Sequence, residues 1–133
     1  MLLAYHIGTG GGTNVLYRGP GGAVVNDMET TYPGMRVVSH LVAGGALDRH
    51  PNLRVLIVEG GAAWVPAIGD RMDEGYRQHG MFVRPRLDRL PSEIIRHQGY
   101  ATFQHDISAV QIIEDTKYDS VMWGDDYPHL EGT

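Results

Sequence analysis

Three short apolar runs of this 133-residue chain are each followed by a residue that can bind a metal or move a proton. His6 follows the first run, Glu59 the second and Asp126 the last. Neutral imidazole and carboxylate groups are ligands for zinc, manganese or iron. A metal bound by them would polarise a carbonyl group or lower the pKa of a bound water. If the fold brings the three residues together, they predict a divalent metal site, with zinc preferred over manganese or iron.

Each of these residues also has a purely structural interpretation. A histidine after an apolar run, such as His6, is often a hydrogen-bonded core residue. Glu59 could cap the helix that follows it, because the positive end of the helix dipole favours a negative charge. Asp126 could belong to a solvated turn before Tyr127 and Pro128. The recurrence of such residues after three separate apolar runs favours a shared site, which His129 is near enough in sequence to Asp126 to join.

The elements that would position these residues alternate between strand and helix. Apolar runs predict strands over 2–7, 53–58, 100–103 and 119–123, and apolar periodicity predicts helices over 35–49, 63–77 and 108–114. The 53–58 run, LRVLIV, is nearly continuous and β-branched, which is typical of a strand buried on both faces. Strands that alternate with helices form a parallel sheet, and their carboxyl ends meet at one edge. We therefore expect His6, Glu59 and Asp126 to share that edge.

Two polar segments lie outside this pattern. The glycine-rich stretch from residue 8 to about residue 33 is too long for a simple connection and is predicted to be a functional loop. Its start, GTGGGT, follows a strand but has Thr13 where a dinucleotide fingerprint needs glycine, which favours a lid or wall beside His6 over a phosphate site. The Arg- and Pro-rich segment 79–98 is predicted to loop outward and to contain a short helix with Ser92 as its N-cap.

Composition excludes several classes of function. The net charge of −5, without a clustered basic stripe, argues against nucleic acid or an anionic membrane surface as partner. No apolar run approaches the roughly 20 residues that span a bilayer. The chain has no cysteine, which excludes disulfides, cysteine–zinc sites and thiol catalysis. Its first residues lack the basic start of a signal peptide, so we expect a cytoplasmic protein.

Several motifs resemble one enzyme family. The run LRVLIVEGGAAWVP at 53–66 resembles the sixth-strand segment of the metal-dependent amidohydrolases, in the branch that contains aminocarboxymuconate semialdehyde decarboxylase. The run VMWGDDYPH at 121–129 is similar to the eighth-strand motif of that branch, and AYHIG at 4–8 to its fifth-strand histidine motif. The resemblance spans nearly all of the chain. It implies the C-terminal half of a (β/α)8 TIM barrel, with residues 1–133 as one partial domain that holds strands five to eight and lacks strands one to four.

The resemblance also implies roles for the three candidate residues. It makes His6 a metal ligand and Asp126 a residue that both binds the metal and moves a proton. Many relatives have a histidine where Glu59 stands, so its role as a base or as a substrate contact stays open.

By resemblance, the whole enzyme would use one divalent metal to hydrolyse or decarboxylate a small carboxylated or ring-containing substrate. The strand-one metal ligands of the family lie outside the matched half, so we expect an incomplete site and no activity from this chain alone. We expect it to associate with itself or with a complementing N-terminal half. The alternative is a non-enzymatic half-barrel remnant or association module.

Overall fold

The protein has four parallel strands in a single sheet, in a computed structural model that describes residues 1–8, 16–129 and 132. The strands pair in chain order and are β1 Leu2–His6, β2 Arg54–Val58, β3 Gly99–Phe103 and β4 Val121–Trp123. All three pairings are parallel. The predicted α/β fold with a parallel sheet is confirmed, and it corresponds to part of a TIM barrel.

Six helices connect the four strands in the described part of the chain. They are α1 Gly22–Glu29, α2 Thr31–Ala43, α3 Ala46–Arg49, α4 Trp64–Gln78, α5 Pro91–Gln98 and α6 Ile107–Thr116. None of these described helices is both long and apolar enough to cross a membrane.

The core lies between one face of the sheet and the helices. Val55 and Ile57 of β2 are fully buried, whereas Leu56 between them is only partly buried. Successive strand residues point to opposite faces, so this alternation marks the face that the helices cover. Helix α2 approaches very closely, because a β carbon at Gly34 would lie 2.6 Å from a methyl group of Ile57. The helices contribute Val38, Val42, Leu47, Val65, Ile94, Ile95 and Ala109 to this core.

The opposite face and the two outer strands are more exposed. Tyr100 and Thr102 are partly exposed on the face that carries Leu56. Within the described residues, β1 and β4 each pair with one strand only. Their apolar side chains reach solvent, and Leu2 is 59% exposed and Trp123 61% exposed. Unpaired strand edges with apolar side chains invite association with further strands.

Two predictions from the sequence are wrong in this part of the chain. The helix predicted over 35–49 is two helices, because the left-handed backbone of Gly45 (φ 71°) separates α2 from α3. The loop predicted over 8–33 contains α1 and the start of α2. Helix α1 begins among glycines (Gly19, Gly21 and Gly22), which are typical of a loop, and it buries no residue. The glycine-rich residues 9–13 of that loop lie outside the described residues.

The predicted N-cap at Ser92 is also wrong. The N-cap of α5 is Leu90, two residues before Ser92, and the helix begins at Pro91, whose fixed φ suits the first helical position. Ser92 instead binds α4, because its N–H and its hydroxyl donate to the two carboxylate oxygens of Asp73 at 2.9 and 2.7 Å. Asp73 is buried, so these hydrogen bonds fix α5 against α4.

Candidate active site

Two of the three candidate residues are in direct contact at the carboxyl end of the sheet. His6 is the last residue of β1 and is paired in register with Val58, so Glu59 is the next residue on the neighbouring strand. The Nε2 atom of His6 lies 2.9 Å from Oε1 of Glu59. The ring is about half exposed, and the glutamate side chain is more enclosed. The parallel register therefore brings these two residues together.

The contacts of His6 favour its charged form. Its Nδ1 lies 2.9 Å from the carbonyl oxygen of Ile7, and its Nε2 faces the Glu59 carboxylate. Both neighbours are hydrogen-bond acceptors, and only the imidazolium ion has a donor on each ring nitrogen. The pKa of His6 is raised, first by the Ile7 carbonyl and then by the carboxylates of Glu59 and Asp126, although partial burial opposes the change.

Asp126 lies near this pair, just beyond β4. Its charge is the smallest of the causes that raise the pKa of His6. Its Oδ2 atom lies 3.2 Å from Nδ1 of His129, and its carbonyl oxygen accepts a hydrogen bond from the backbone N–H of His129 at 2.8 Å. Asp126 therefore belongs to a hydrogen-bonded turn, as the structural interpretation predicts, and its carboxylate contacts His129.

Glu59 and Asp126 share an unusual backbone conformation. Glu59 has φ 62° and Asp126 has φ 54°, values in the left-handed region that side chains with a β carbon rarely adopt. Among the described residues, Lys117 is the other non-glycine residue in this region, at the C-terminal end of α6. Strained backbone persists where the surroundings enforce it, and it is concentrated at functional sites.

The described residues do not fit a complete metal site by themselves. Within the ranges that the structure describes, no group of three or more His, Asp or Glu side chains is arranged to hold an ion. The predicted ligands His6 and Asp126 would supply two donors, and a catalytic zinc site needs three protein ligands. Glu59 engages the ring nitrogen of His6 that faces the site. Any metal here would require further ligands.

Two residues that the sequence analysis did not single out hold the turn that contains Glu59. The hydroxyl of Thr102 accepts a hydrogen bond from the backbone N–H of Glu59 at 2.8 Å. The carboxylate of Asp106 accepts one from the N–H of Ala62 at 2.9 Å. Asp106 follows the third apolar run, just as the three predicted residues follow the other runs, so its position in the sequence could have identified it.

Comparison with known proteins identifies the family of this chain. The sequence profile of a family described as Amidohydrolase matches residues 9–133. No curated protein matches the chain.

Solved structures share the fold. An amidohydrolase from Mycobacterium avium subsp. paratuberculosis K-10 is similar with a TM-score of 0.67 and 20% identity over 86% of this chain. The 5-carboxyvanillate decarboxylase LigW from Sphingomonas paucimobilis is similar with a TM-score of 0.57 and 25% identity over 77% of this chain. This chain spans only 28% and 30% of the lengths of those two proteins.

Proposed function

Because this chain belongs to the amidohydrolase family, we propose that it supplies the C-terminal half of the active site of a metal-dependent hydrolase or decarboxylase (a lyase). The observation that carries the proposal is the contact between His6 and Glu59 at the carboxyl edge of a parallel sheet in which Asp126 follows the last strand. That edge is where barrel enzymes build their active sites. The substrate would be a small carboxylated or ring-containing molecule, and similarity to a 5-carboxyvanillate decarboxylase supports a carboxylated aromatic ring.

The proposed roles follow from the chemistry of the side chains. His6 and Asp126 would be ligands of one divalent metal, zinc in preference to manganese or iron, together with ligands from other barrel strands. When bound, the metal would supply Lewis-acid activation of a water or a carbonyl group. Asp126 would accept and return a proton, with its carboxylate oriented by His129 at 3.2 Å. Glu59 would either act as a base or contact the substrate.

Completion of the sheet is part of the proposal. The outer strands β1 and β4 leave apolar side chains such as Leu2 and Trp123 exposed, and further strands would cover them. We propose that residues 1–133 are one partial barrel domain, inactive alone, which pairs with a complementing N-terminal half or with a second copy. The small-molecule substrate would bind only to the completed barrel, in the cytoplasm.

A second candidate function is that of an association module without catalysis. The observation that favours it is the lack of a three-ligand metal group among the described residues. The two functions differ in the activity of the completed barrel. A half-enzyme would gain turnover on completion, whereas an association module would form a stable assembly without turnover.

The test compares the isolated chain with the chain extended by the sequence encoded immediately upstream. Each protein is loaded with Zn²⁺ and assayed for CO₂ release from 5-carboxyvanillate and for hydrolysis of a panel of small carboxylated amides and esters. We expect turnover in the extended protein only. Asp126→Asn should abolish this turnover, whereas Asp115→Asn, a matched change at an exposed carboxylate of α6, should preserve it. A folded extended protein that binds metal but turns over no substrate would favour the association module.

A further inference from the structure

The turn between β2 and α4 has a backbone conformation that its neighbours must stabilise. Glu59 and Gly61 both have left-handed backbones, with φ 62° and φ 67°. Glycine adopts this conformation readily, but a residue with a β carbon does so only when its neighbours enforce it. The direction of the Glu59 side chain therefore depends on whatever fixes this turn.

Two side chains from the next strand and its loop hold the turn at its two ends. The register of β2 and β3 extends to Ile57 and Ala101. Beyond it, the Glu59 N–H donates to the hydroxyl of Thr102 at 2.8 Å rather than to a backbone carbonyl. At the other end of the turn, the Ala62 N–H donates to Oδ2 of Asp106 at 2.9 Å. The hydrogen bonds of Thr102 and Asp106 thus fix both ends of the turn from the same side.

The packing around Asp106 leaves this turn little freedom. A β carbon at Gly61 would lie 2.9 Å from Oδ2 of Asp106, so the glycine backbone rests directly against the carboxylate. Asp106 is itself anchored as the N-cap residue of α6, where its carbonyl oxygen accepts the N–H of Ala109 at 2.9 Å. The backbone that carries this carboxylate is therefore fixed by α6 where it meets the turn.

The consequence appears on the other side of Glu59. Its carboxylate reaches across to β1 and lies 2.9 Å from Nε2 of His6, while its backbone N–H is held by β3. We propose that Thr102 and Asp106 are positioning residues that keep Glu59 in its left-handed backbone and so aim its carboxylate at His6. This inference rests on the proposed function, because the position of the Glu59 carboxylate affects activity only if His6 and Glu59 belong to the active site.

The test reads the His6 ring in the isolated, metal-free chain. The ¹⁵N chemical shifts of the His6 imidazole are recorded at one fixed pH, and Glu59→Gln marks the signal of a ring that has lost its charged partner. We expect Thr102→Val and Asp106→Ala to move the His6 signal most of the way toward that of Glu59→Gln. The conservative changes Thr102→Ser and Asp106→Asn keep an acceptor oxygen and should retain the wild-type signal.

A matched control separates positioning from general loosening of the fold. Thr116→Val removes another partly buried threonine hydroxyl, which bonds the Ile112 carbonyl in α6, and should leave the His6 signal unchanged. The melting temperature of each variant shows whether it is folded. If Thr102→Val does not fold, Asp106→Ala tests the other end of the same turn by the same signal.

The proposal is overturned if folded Thr102→Val and Asp106→Ala both keep the wild-type His6 signal, or if Thr116→Val shifts it equally. This experiment needs neither metal nor substrate, so it can fail independently of the turnover assay. Absence of turnover in the extended protein would contradict the proposed function only. An unchanged His6 signal in the variants would contradict the positioning role of Thr102 and Asp106 only.

Discussion

The left-handed backbone of Glu59 predicts that glycine at this position is more stable than alanine. A β carbon in this conformation costs about 1–2 kcal/mol, and the backbone entropy of glycine offsets about 0.5–1 kcal/mol of that gain. Both substitutions remove the ion pair with His6, so its small contribution cancels in the comparison. We therefore expect Glu59→Gly to exceed Glu59→Ala in unfolding free energy by about 0.5–1 kcal/mol.

The assay is urea unfolding of both variants, together with their melting temperatures. For a domain of this size, the expected difference corresponds to about 2–4 °C. Glu74, in the interior of α4, provides the matched control. Its backbone is helical, so there the order should reverse, with alanine more stable than glycine by about 1 kcal/mol. If Glu59→Ala were as stable as Glu59→Gly, the backbone of Glu59 would carry no strain and the argument from left-handed geometry would fail.

Three further predictions concern single side chains. Gln98 is fully buried, its Nε2 lies 2.9–3.0 Å from three backbone carbonyl oxygens that share its two N–H donors, and its Oε1 accepts from Arg89. Gln98→Leu should therefore destabilise the fold by about 2–4 kcal/mol in urea unfolding. The pKa of His6 is raised on folding, so wild type should exceed His6→Asn in unfolding free energy by the full amount below about pH 6.5. This difference should vanish as pH rises through the folded pKa, and unfolding measured at several pH values tests it. Burial raises the pKa of Tyr118, so wild type should lose stability relative to Tyr118→Phe above about pH 10, as paired alkaline melting curves would show.

The parallel sheet and the position of its polar rim were predictable because their signals are local. The apolar β-branched run ahead of Glu59 predicts a strand buried on both faces. The strand is present, but only its alternate residues Val55 and Ile57 are fully buried, so the prediction is correct for one face. Parallel register then places Glu59 next to His6 at the carboxyl end of β1 and β2. The functional roles of these residues stay predictions.

The missed features depend on contacts between distant parts of the chain. Nothing in the residues around Glu59 shows that Thr102, 43 positions later, accepts its N–H. The left-handed backbone of Glu59 is equally invisible in the sequence, because residues with a β carbon rarely adopt it. Helix α1 was missed for a different reason, since the glycines at its start are typical of a loop.

The metal content of the purified protein tests the central claim most directly. The isolated chain and the chain extended upstream are each saturated with Zn²⁺, freed of loose ions by gel filtration and analysed by plasma mass spectrometry. We expect the isolated chain to retain far less than one zinc, because His6 and Asp126 offer only part of the ligand set. The extended chain should retain about one zinc per molecule. One tightly held zinc in the isolated chain, or none in a folded extended chain, would contradict the account.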